Sequence, residues 1–269
     1  MDIEKLKLNV FDTIFYSKNY LKYDNNKSLA LKHYTKIGLN DNNVVNKIQL
    51  KNRYKVSLYY SILNINYTKY KINNNVIFNI LIRTSNRPLF FKNCFESIKT
   101  QNFPGIVNIF VSYDNLLTKE YLDKYENINK IFVEKKYKYS FNLYCNKLME
   151  QTNEGWILFL DDDDMYLNNN ILSIISSFIN DENNLILWNF LRPDKIISPT
   201  KDIKKGEIDT TCFCFHSKYK TLSKWKSVSC GDFYFIKDLT TKNKFNIEKI
   251  NLTFTKTQFS DIVANYGKT

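Results

Sequence analysis

The stretch Trp156–Tyr166, WILFLDDDDMY, decides the fold, because a short apolar run meets four consecutive carboxylates there. Apolar runs of this length with bulky side chains are typical of a strand that is buried on both faces. The carboxylates Asp161–Asp164 follow the carboxyl end of that strand, which is the edge where open α/β sheets bind ligands. Such oxygen ligands suit a hard divalent cation, Mg²⁺ or Mn²⁺. A solvated acidic turn at the end of a strand is the alternative interpretation.

The segments around this strand alternate between strand-like and helical patterns. Val76–Ile82 and Ile106–Val111 are compact apolar runs that end in polar turns, and Phe90–Ile98 and Phe141–Glu150 have apolar residues at helical spacing. Further predicted elements are helices at Thr118–Tyr125 and 171–180, strands at Ile131–Val133, Leu185–Phe190, Asp209–His216 and from Ile247, and a loop at Ile196–Glu207. This alternation predicts an α/β fold with a mostly parallel sheet flanked by helices.

Composition narrows the class of protein. The chain has 269 residues, of which 43% are hydrophobic, enough for a globular core. Its net charge of +12 favours anionic partners, but the lysines are dispersed, which argues against a dedicated nucleic-acid-binding protein. Five cysteines without a CxxC pair predict reduced, mostly buried thiols. We expect a cytoplasmic protein, since the sequence shows neither a signal peptide nor a transmembrane run.

Residues 1–70 have a separate helical pattern. Phe11–Tyr23, FDTIFYSKNYLKY, and Ala30–Asn42, ALKHYTKIGLNDN, resemble a small helical module found beside glycosyltransferase domains in polysaccharide-building proteins. The Glu-Gly-Arg ending of that module is replaced by Asn40-Asp41-Asn42. The sequence therefore predicts an all-α module at 1–70 and a second domain at 71–269. We expect the module to help bind an acceptor, a partner or a second copy of the chain.

The second domain opens with a longer motif. Asn79–Asn115, NILIRTSNRPLFFKNCFESIKTQNFPGIVNIFVSYDN, resembles the opening of family 2 glycosyltransferases, roughly SVIIPTYNRPxxLxxCLxSIxxQxxxxxEIIVVDDGS. The matching positions, in order, are Thr84, Asn86, Arg87, Pro88, Cys94, Ser97, Ile98 and Gln101. Asp114 falls on the second Asp of the family's DD pair, and Tyr113 replaces the first. Asn146 falls on the Asn of the family's RNxG segment, and Trp156–Met165 matches the metal-binding DxD strand.

The resemblance implies an A-type glycosyltransferase fold and a set of site residues. The nucleotide-sugar-binding residues would be Thr84, Asn86, Arg87, Asp114, Asn146 and Asp161. Asp163 would be the principal ligand of Mn²⁺ or Mg²⁺, and Asp161 would contact the ribose or a metal-bound water. Asp162 is expected to point away. His216 is a further candidate for the metal shell, with a structural role as the alternative.

A general base is expected from the later half of the chain. In family 2 an acidic residue in an ED or GD context opens a helix and takes the proton of the acceptor. Gly231–Leu239, GDFYFIKDL, matches that context, so the resemblance makes Asp232 the candidate base. An Asp after Gly at the start of a helix is also a common N-cap, and that alternative stays open here.

Together these features predict a metal-dependent hexosyl- or related transferase. It would move a sugar from a nucleoside diphosphate sugar, with UDP-sugar as the expected donor, to a hydroxyl acceptor on a glycan or glycoprotein. If the chain follows family 2, the anomeric centre is inverted. Two alternatives are a catalytically inactive sugar- or nucleotide-binding module of the same fold, and a nucleotidyltransferase. The latter would be expected to carry a Gly-rich phosphate loop after the first strand, and the sequence has none there.

Overall fold

The computed structural model describes residues 70–135, 140–192 and 195–257, which form one nine-stranded sheet with helices around it. The strands are β1 (Ile77–Arg83), β2 (Ile106–Tyr113), β3 (Asn129–Phe132), β4 (Trp156–Phe159), β5 (Asp164–Tyr166), β6 (Asn184–Leu191), β7 (Ile196–Ile197), β8 (Phe213–His216) and β9 (Asn246–Thr257). The α-helices are α1 (Pro88–Lys99), α2 (Leu116–Leu122), α3 (Ser140–Glu150), α4 (Ile171–Ser177) and α5 (Gly231–Lys242), and Ser217–Tyr219 is a 3₁₀ turn.

The sheet has the strand order β3-β2-β1-β4-β8-β6-β9-β5, and β7 pairs with β6. Strands β3, β2, β1 and β4 are parallel neighbours. Beyond β4 the sheet is mixed, because β8 runs antiparallel to both β4 and β6, whereas β6 and β9 are parallel. The predicted α/β sheet is therefore confirmed, with its parallel part confined mainly to the first half of the described chain.

The apolar runs explain why these strands form the core. All four residues of β4 are buried, as are Phe78, Ile80, Leu81 and Ile82 in β1. In α1, Phe91, Cys94, Phe95 and Ile98 form the buried face, which confirms the helical spacing expected there. Pro88 occupies the start of α1, where its missing N–H costs no intrahelical hydrogen bond.

Two short strands and one turn differ from the expectations. The predicted loop at Ile196–Glu207 contains β7, which pairs with the end of β6. Asp164, the last residue of the carboxylate quartet, opens β5 and pairs with Thr257 of β9. Residues Asp209–Cys212, expected as strand, form a turn in which Asp209 Oδ1 accepts hydrogen bonds from the backbone N–H and hydroxyl of Thr211. The side chain of Asp209 replaces ladder bonds, so the strand begins only at Phe213.

The predicted helical module at 1–70 and the expected tail after β9 lie almost wholly outside the described residues. Among the described residues, no helix combines the length and the apolar character that a membrane span needs. All five cysteines are free thiols, and four of them are buried, as the composition predicted.

Candidate active site

The candidate site lies where three parallel strands end. β2, β1 and β4 are neighbours in the sheet and run in the same direction, so their carboxyl ends meet at one edge. The chain leaves β2 through Asp114, β1 through Arg83–Arg87 and β4 through Asp161–Asp164. The predicted nucleotide-sugar-binding residues come from separate segments of the chain. All of them except Asn146 of α3 therefore lie at the same edge of the sheet.

Three of the four consecutive aspartates form a cluster of ligand atoms. Carboxylate oxygens of Asp161, Asp163 and Asp164 all lie within 4.8 Å of one another. A tight turn brings the first and last together, because the backbone N–H of Asp164 donates to the carbonyl of Asp161 at 2.8 Å. Such a set of hard oxygen donors fits Mg²⁺ or Mn²⁺. Asp164, which the sequence analysis did not rank as a ligand, joins Asp161 and Asp163 here.

Two arginines, one at the end of β1 and one in the turn after it, pair with three of the four aspartates. Arg83 forms an ion pair with Asp161, with Nη2 2.5 Å from Oδ2. Arg87 pairs with both oxygens of Asp162 through Nε and Nη2, and its Nη1 lies 3.1 Å from Oδ2 of Asp163. Buried carboxylates this close would repel strongly without such positive charge. The two guanidinium groups therefore offset the repulsion among the aspartates and allow this acidic loop to pack at the edge of the sheet.

Asp162 has a structural position. Its side chain is fully buried and accepts hydrogen bonds from Thr84 Oγ1 at 2.6 Å and from Arg87. It points away from the ligand cluster, as expected. Burial raises the pKa of Asp162 to about 7, while Arg87 opposes that shift. Thr84, predicted to bind nucleotide, is itself 3% exposed and donates inward to Asp162, so its hydroxyl supports the loop.

Burial dominates the electrostatics of the remaining ligand candidates. It raises the pKa of Asp163, and nearby Arg87 lowers it again. The pKa of Asp164 is raised well above its usual range by burial and by the neighbouring charges of Asp209 and Asp163. Both groups thus have a higher proton affinity than a surface aspartate, and cation binding would compete with their protonation.

Asp114 is held at the end of β2 by three donors. Oδ1 accepts from Ser85 Oγ at 2.8 Å and from Asn115 Nδ2 at 2.6 Å, and Oδ2 accepts from the Tyr144 hydroxyl at 3.1 Å. This orients a half-buried carboxylate toward the strand ends. Beside it, Asn86 is exposed and has a positive φ of 56°. Asn tolerates that left-handed conformation better than most residues, and it leaves the Asn86 side chain at the surface of the edge.

The side chain of Asn146 makes hydrogen bonds that differ from those expected for the predicted nucleotide-binding role. Its Nδ2 donates to the carbonyl of Trp225 and its Oδ1 accepts from the N–H of Trp225, both at 2.9 Å. Asn142, one turn earlier in α3, donates from Nδ2 to the carbonyls of Lys226 and Val228 at 3.0 and 2.8 Å. The two amides therefore hold the segment 225–228 that leads into α5. We found no signal for Asn142 in the sequence.

Asp232 lies in the first turn of α5. The N-cap position is taken by Cys230, which has a positive φ of 57° and makes no side-chain capping bond. Asp232 Oδ1 accepts from the N–H of the next residue, Phe233, at 2.8 Å. Burial and the charge of Asp209 raise the pKa of Asp232 to about 6, and the charges of Arg83 and Asp161 also act on it. Asp232 is thus not the N-cap, and it shares the electrostatic environment of the donor-side carboxylates.

A second buried ion pair was not anticipated from the sequence. Asp209 is 3% exposed and pairs with Arg192, which also donates to Thr257 Oγ1 at 3.0 Å. The pKa of Asp164 is raised first by burial and then by Asp209, while Arg192 opposes both. The pair therefore lies beside the ligand cluster. The Asp-Thr-Thr run at 209–211 was a usable signal, because such sequences form side-chain-capped turns.

His216 is separated from the carboxylates by the length of β4. In the antiparallel pairing of β4 with β8, His216 faces Trp156, the first residue of β4, whereas Asp161 lies two residues beyond the last. Its Nδ1 accepts from the N–H of Lys218 at 3.3 Å, and its ring packs edge-on against Trp156. The structure therefore does not bring His216 to the ligand cluster, and we omit it from the ligand set.

The mixed α/β sheet with an oxygen-ligand cluster at its carboxyl edge fits the A-type fold of glycosyltransferases. The family model described as Glycosyl transferase family 2 matches residues 79–260, and the chain belongs to that family. A search of curated proteins found no match.

Solved structures support the fold. The chain is similar to crystal structures of S. aureus TarS, with a TM-score of 0.56, 16% sequence identity and 68% of this chain covered. A TarS fragment, 1–349, in complex with UDP matches with the same TM-score and identity, and the same fragment with UDP-GlcNAc matches with 15% identity and 69% of this chain covered. The chain spans 37% of the longer TarS chain, 61% of the fragment in complex with UDP and 59% of the fragment in complex with UDP-GlcNAc.

Proposed function

We propose that this chain transfers a sugar from a nucleoside diphosphate sugar, with a UDP-sugar as donor, to a hydroxyl group of a glycan or glycoprotein. One observation carries the proposal. In a family 2 chain, a cluster of three carboxylates and an oriented Asp114 share the sheet edge, while a further carboxylate with raised pKa opens a helix nearby. The TarS complexes with UDP and UDP-GlcNAc support the choice of donor.

The donor nucleoside would bind at the ends of β1 and β2. Asp114 has an acceptor carboxylate fixed by Ser85, Asn115 and Tyr144, and it would accept hydrogen bonds from a base N–H or a ribose hydroxyl. The exposed side-chain amide of Asn86 lies in the turn after β1, next to Ser85. The buried hydroxyl of Thr84 would act indirectly, through Asp162.

The diphosphate would lie against the carboxylate cluster. Asp163, Asp161 and Asp164 would hold Mn²⁺ or Mg²⁺, which neutralises the negative charge that builds on a departing diphosphate. Arg87 spans Asp162 and Asp163, and its guanidinium would offer a fixed positive charge to a phosphate oxygen. Arg87 would therefore assist donor binding as the resemblance implies, although it is anchored through Asp162.

Asp232 would act as general base. The acceptor hydroxyl oxygen attacks the anomeric carbon, and the bond from that carbon to the diphosphate oxygen breaks with inversion. The hydroxyl proton passes to the Asp232 carboxylate, and the nucleoside diphosphate leaves with the bonding electrons. A carboxylate with a pKa of about 6 is ionised at neutral pH and is more basic than an ordinary aspartate, as a general base should be.

Turnover of several UDP-sugars with and without Mn²⁺ tests the proposal. We expect release of UDP that depends on Mn²⁺, and faster release with an accepted sugar or polyol present. UDP binding without any turnover would instead support an inactive binding module. Pyrophosphate release from a nucleoside triphosphate and a sugar phosphate would support a nucleotidyltransferase.

The domain boundary is a separate proposal. We propose that residues 1–70 form a unit whose role is acceptor, partner or self-binding, so residues 71–269 expressed alone should bind UDP with affinity similar to the full chain. Calorimetric titration of both proteins with UDP and Mn²⁺ measures this. An insoluble fragment, or one that does not bind UDP, would mean that the first 70 residues belong to the catalytic core.

A further inference from the structure

Arg83 connects two elements of the site with one guanidinium group. It is the last residue of β1, and its side chain is 13% exposed. Nη2 lies 2.5 Å from Asp161 Oδ2, and Nη1 donates to Asn142 Oδ1 at 3.1 Å. Its guanidinium also lies 4.8 Å from the centre of the Phe141 ring. Arg83 therefore joins the carboxylate loop after β4 to α3.

Asn142 continues this connection to the segment before α5. While its Oδ1 accepts from Arg83, its Nδ2 donates to the carbonyls of Lys226 and Val228. Gly231, the first residue of α5, approaches the same amide so closely that a Cβ at this position would lie 2.9 Å from Asn142 Cγ. Asp232 follows directly. A continuous series of contacts thus runs from Asp161 to the helix that carries the proposed base.

The chemistry of arginine suits this position. Its guanidinium is always charged and planar, and two of its nitrogens reach different acceptors at a fixed angle. A lysine at the same place has a single nitrogen, which could not satisfy Asp161 and Asn142 with the same geometry. The family pattern quoted for this stretch has Pro where this chain has Arg83, so the connection is a feature of this chain's own sequence.

We propose that Arg83 is a positioning residue that sets the start of α5, and with it Asp232, relative to the donor-side carboxylates through Asn142. This inference rests on the proposed function. The second tether of the same segment, Asn146 to Trp225, contains no link to the carboxylates. Loss of the Arg83–Asn142 link should therefore disturb the alignment of base and donor, while loss of Asn146 weakens only the anchoring of the segment.

Transfer kinetics of the full chain test this. The proteins are wild type, Arg83→Lys, Asn142→Ala, the double variant, and Asn146→Ala alone and combined with Arg83→Lys. We expect Arg83→Lys and Asn142→Ala each to lower kcat by about 10- to 100-fold, since misplacement of about 1 Å has effects of that size. The donor KM and the UDP dissociation constant should stay within about threefold, because the positive charge beside Asp161 is kept in Arg83→Lys and untouched in Asn142→Ala.

The double variants decide the mechanism. Arg83→Lys with Asn142→Ala should be no slower than the slower of the two single variants, since both break one connection, whereas Arg83→Lys with Asn146→Ala should show multiplied losses. Multiplied losses in the first pair would overturn the inference. So would an Arg83→Lys protein with unchanged kcat and raised donor KM, because Arg83 would then only bind the nucleotide.

Two controls keep the test decisive. If Arg83→Lys does not fold, Gly231→Ala serves instead. Its added Cβ would displace the Asn142 amide without altering a charge, so the variant should have a lower kcat and an unchanged UDP affinity. Unchanged kcat in Gly231→Ala would overturn the inference. Failure of the proposed function is distinguishable, since wild type would then show no UDP-sugar turnover at all.

Discussion

The two carboxylate regions of the site differ in how their charge is balanced. At the carboxyl edge of the sheet, Asp161 pairs with Arg83 at the end of β1, and Asp162 and Asp163 pair with Arg87 in the turn after it. In the part of the chain that the structure describes, no salt bridge reaches Asp232, and burial raises its pKa to about 6. Under the proposed function, one acid type would serve two tasks: Asp161 and Asp163, which are charge-paired, would help hold a cation, and Asp232 would accept a proton.

This difference has a cause in the fold. The clustered aspartates follow β4, and the arginines lie at the end of the adjacent parallel strand β1 and in the turn after it, so the pairing of these two strands brings opposite charges together. Asp232 instead enters from α5, whose position depends on the segment 225–228 held by two asparagines of α3. The sheet thus fixes the position of the clustered aspartates, whereas side-chain hydrogen bonds from α3 fix the position of Asp232.

The largest effect is expected from removing a charge at the donor edge. Asp163→Asn should abolish Mn²⁺-dependent turnover of UDP-sugar, because the variant lacks one of the three clustered carboxylates. Thermal melting with UDP and Mn²⁺ should show no ligand-induced shift, while the unliganded protein still melts cooperatively. Asp123→Asn, an exposed aspartate after α2, is the matched control and should keep the shift. A normal shift in Asp163→Asn would mean that the metal is held elsewhere.

The second effect concerns the unpaired carboxylate. Asp232→Asn keeps the shape and most hydrogen bonding but removes basicity, so transfer should slow by about 10²- to 10⁴-fold. UDP affinity, measured by calorimetry, should change little because the donor is held by other residues. Asp238→Asn, in the same helix and paired with Lys242, is the control. Near wild-type transfer by Asp232→Asn would remove it from the mechanism and direct attention to Asp164 or Asp209.

The pH dependence of transfer gives a third, smaller effect. The pKa of Asp232 is raised, so the group is protonated, and inactive as a base, below a pH of about 6. With saturating donor, kcat at pH 5 should be about tenfold lower than at pH 7, and the loss should reverse on return to pH 7. Asp232→Asn should lack this limb. If the limb persists unchanged in Asp232→Asn, it would be assigned to the clustered carboxylates Asp163 and Asp164, whose pKa values are also raised.

The sequence predicted the central architecture because local pattern sufficed there. The buried run of β4, the amphipathic face of α1 and the polar ends of β1 and β2 each depend on residues close in sequence. The short strands β5 and β7 were missed because two or three residues carry no periodicity. Their pairing is decided by β9 and β6, which are distant along the chain.

The sequence identified several residues of the candidate site, but not the ion pairs and hydrogen bonds between them. Asp161 and Asp163 meet in one cluster as expected, but the pairings of Arg83 with Asp161 and of Asn142 with Lys226 and Val228 span 78 to 86 positions in sequence. No short motif encodes such contacts. The choice between a metal-shell and a structural role for His216 stayed open for the same reason, since only the register of β8 against β4 shows which end of the strand it faces.

The smallest effect is expected at that opposite end of β4. His216→Gln removes the edge-on contact with Trp156, which should lower the free energy of unfolding by about 1 kcal/mol. The thermal shift produced by UDP and Mn²⁺, measured from the variant's own baseline, should equal that of wild type, because the ligand cluster lies beyond the other end of the strand. Chemical denaturation provides the first quantity and melting with ligands the second. A missing shift in His216→Gln, beside a normal shift in Asp163→Asn, would reverse the comparison and move the cation to the amino end of β4.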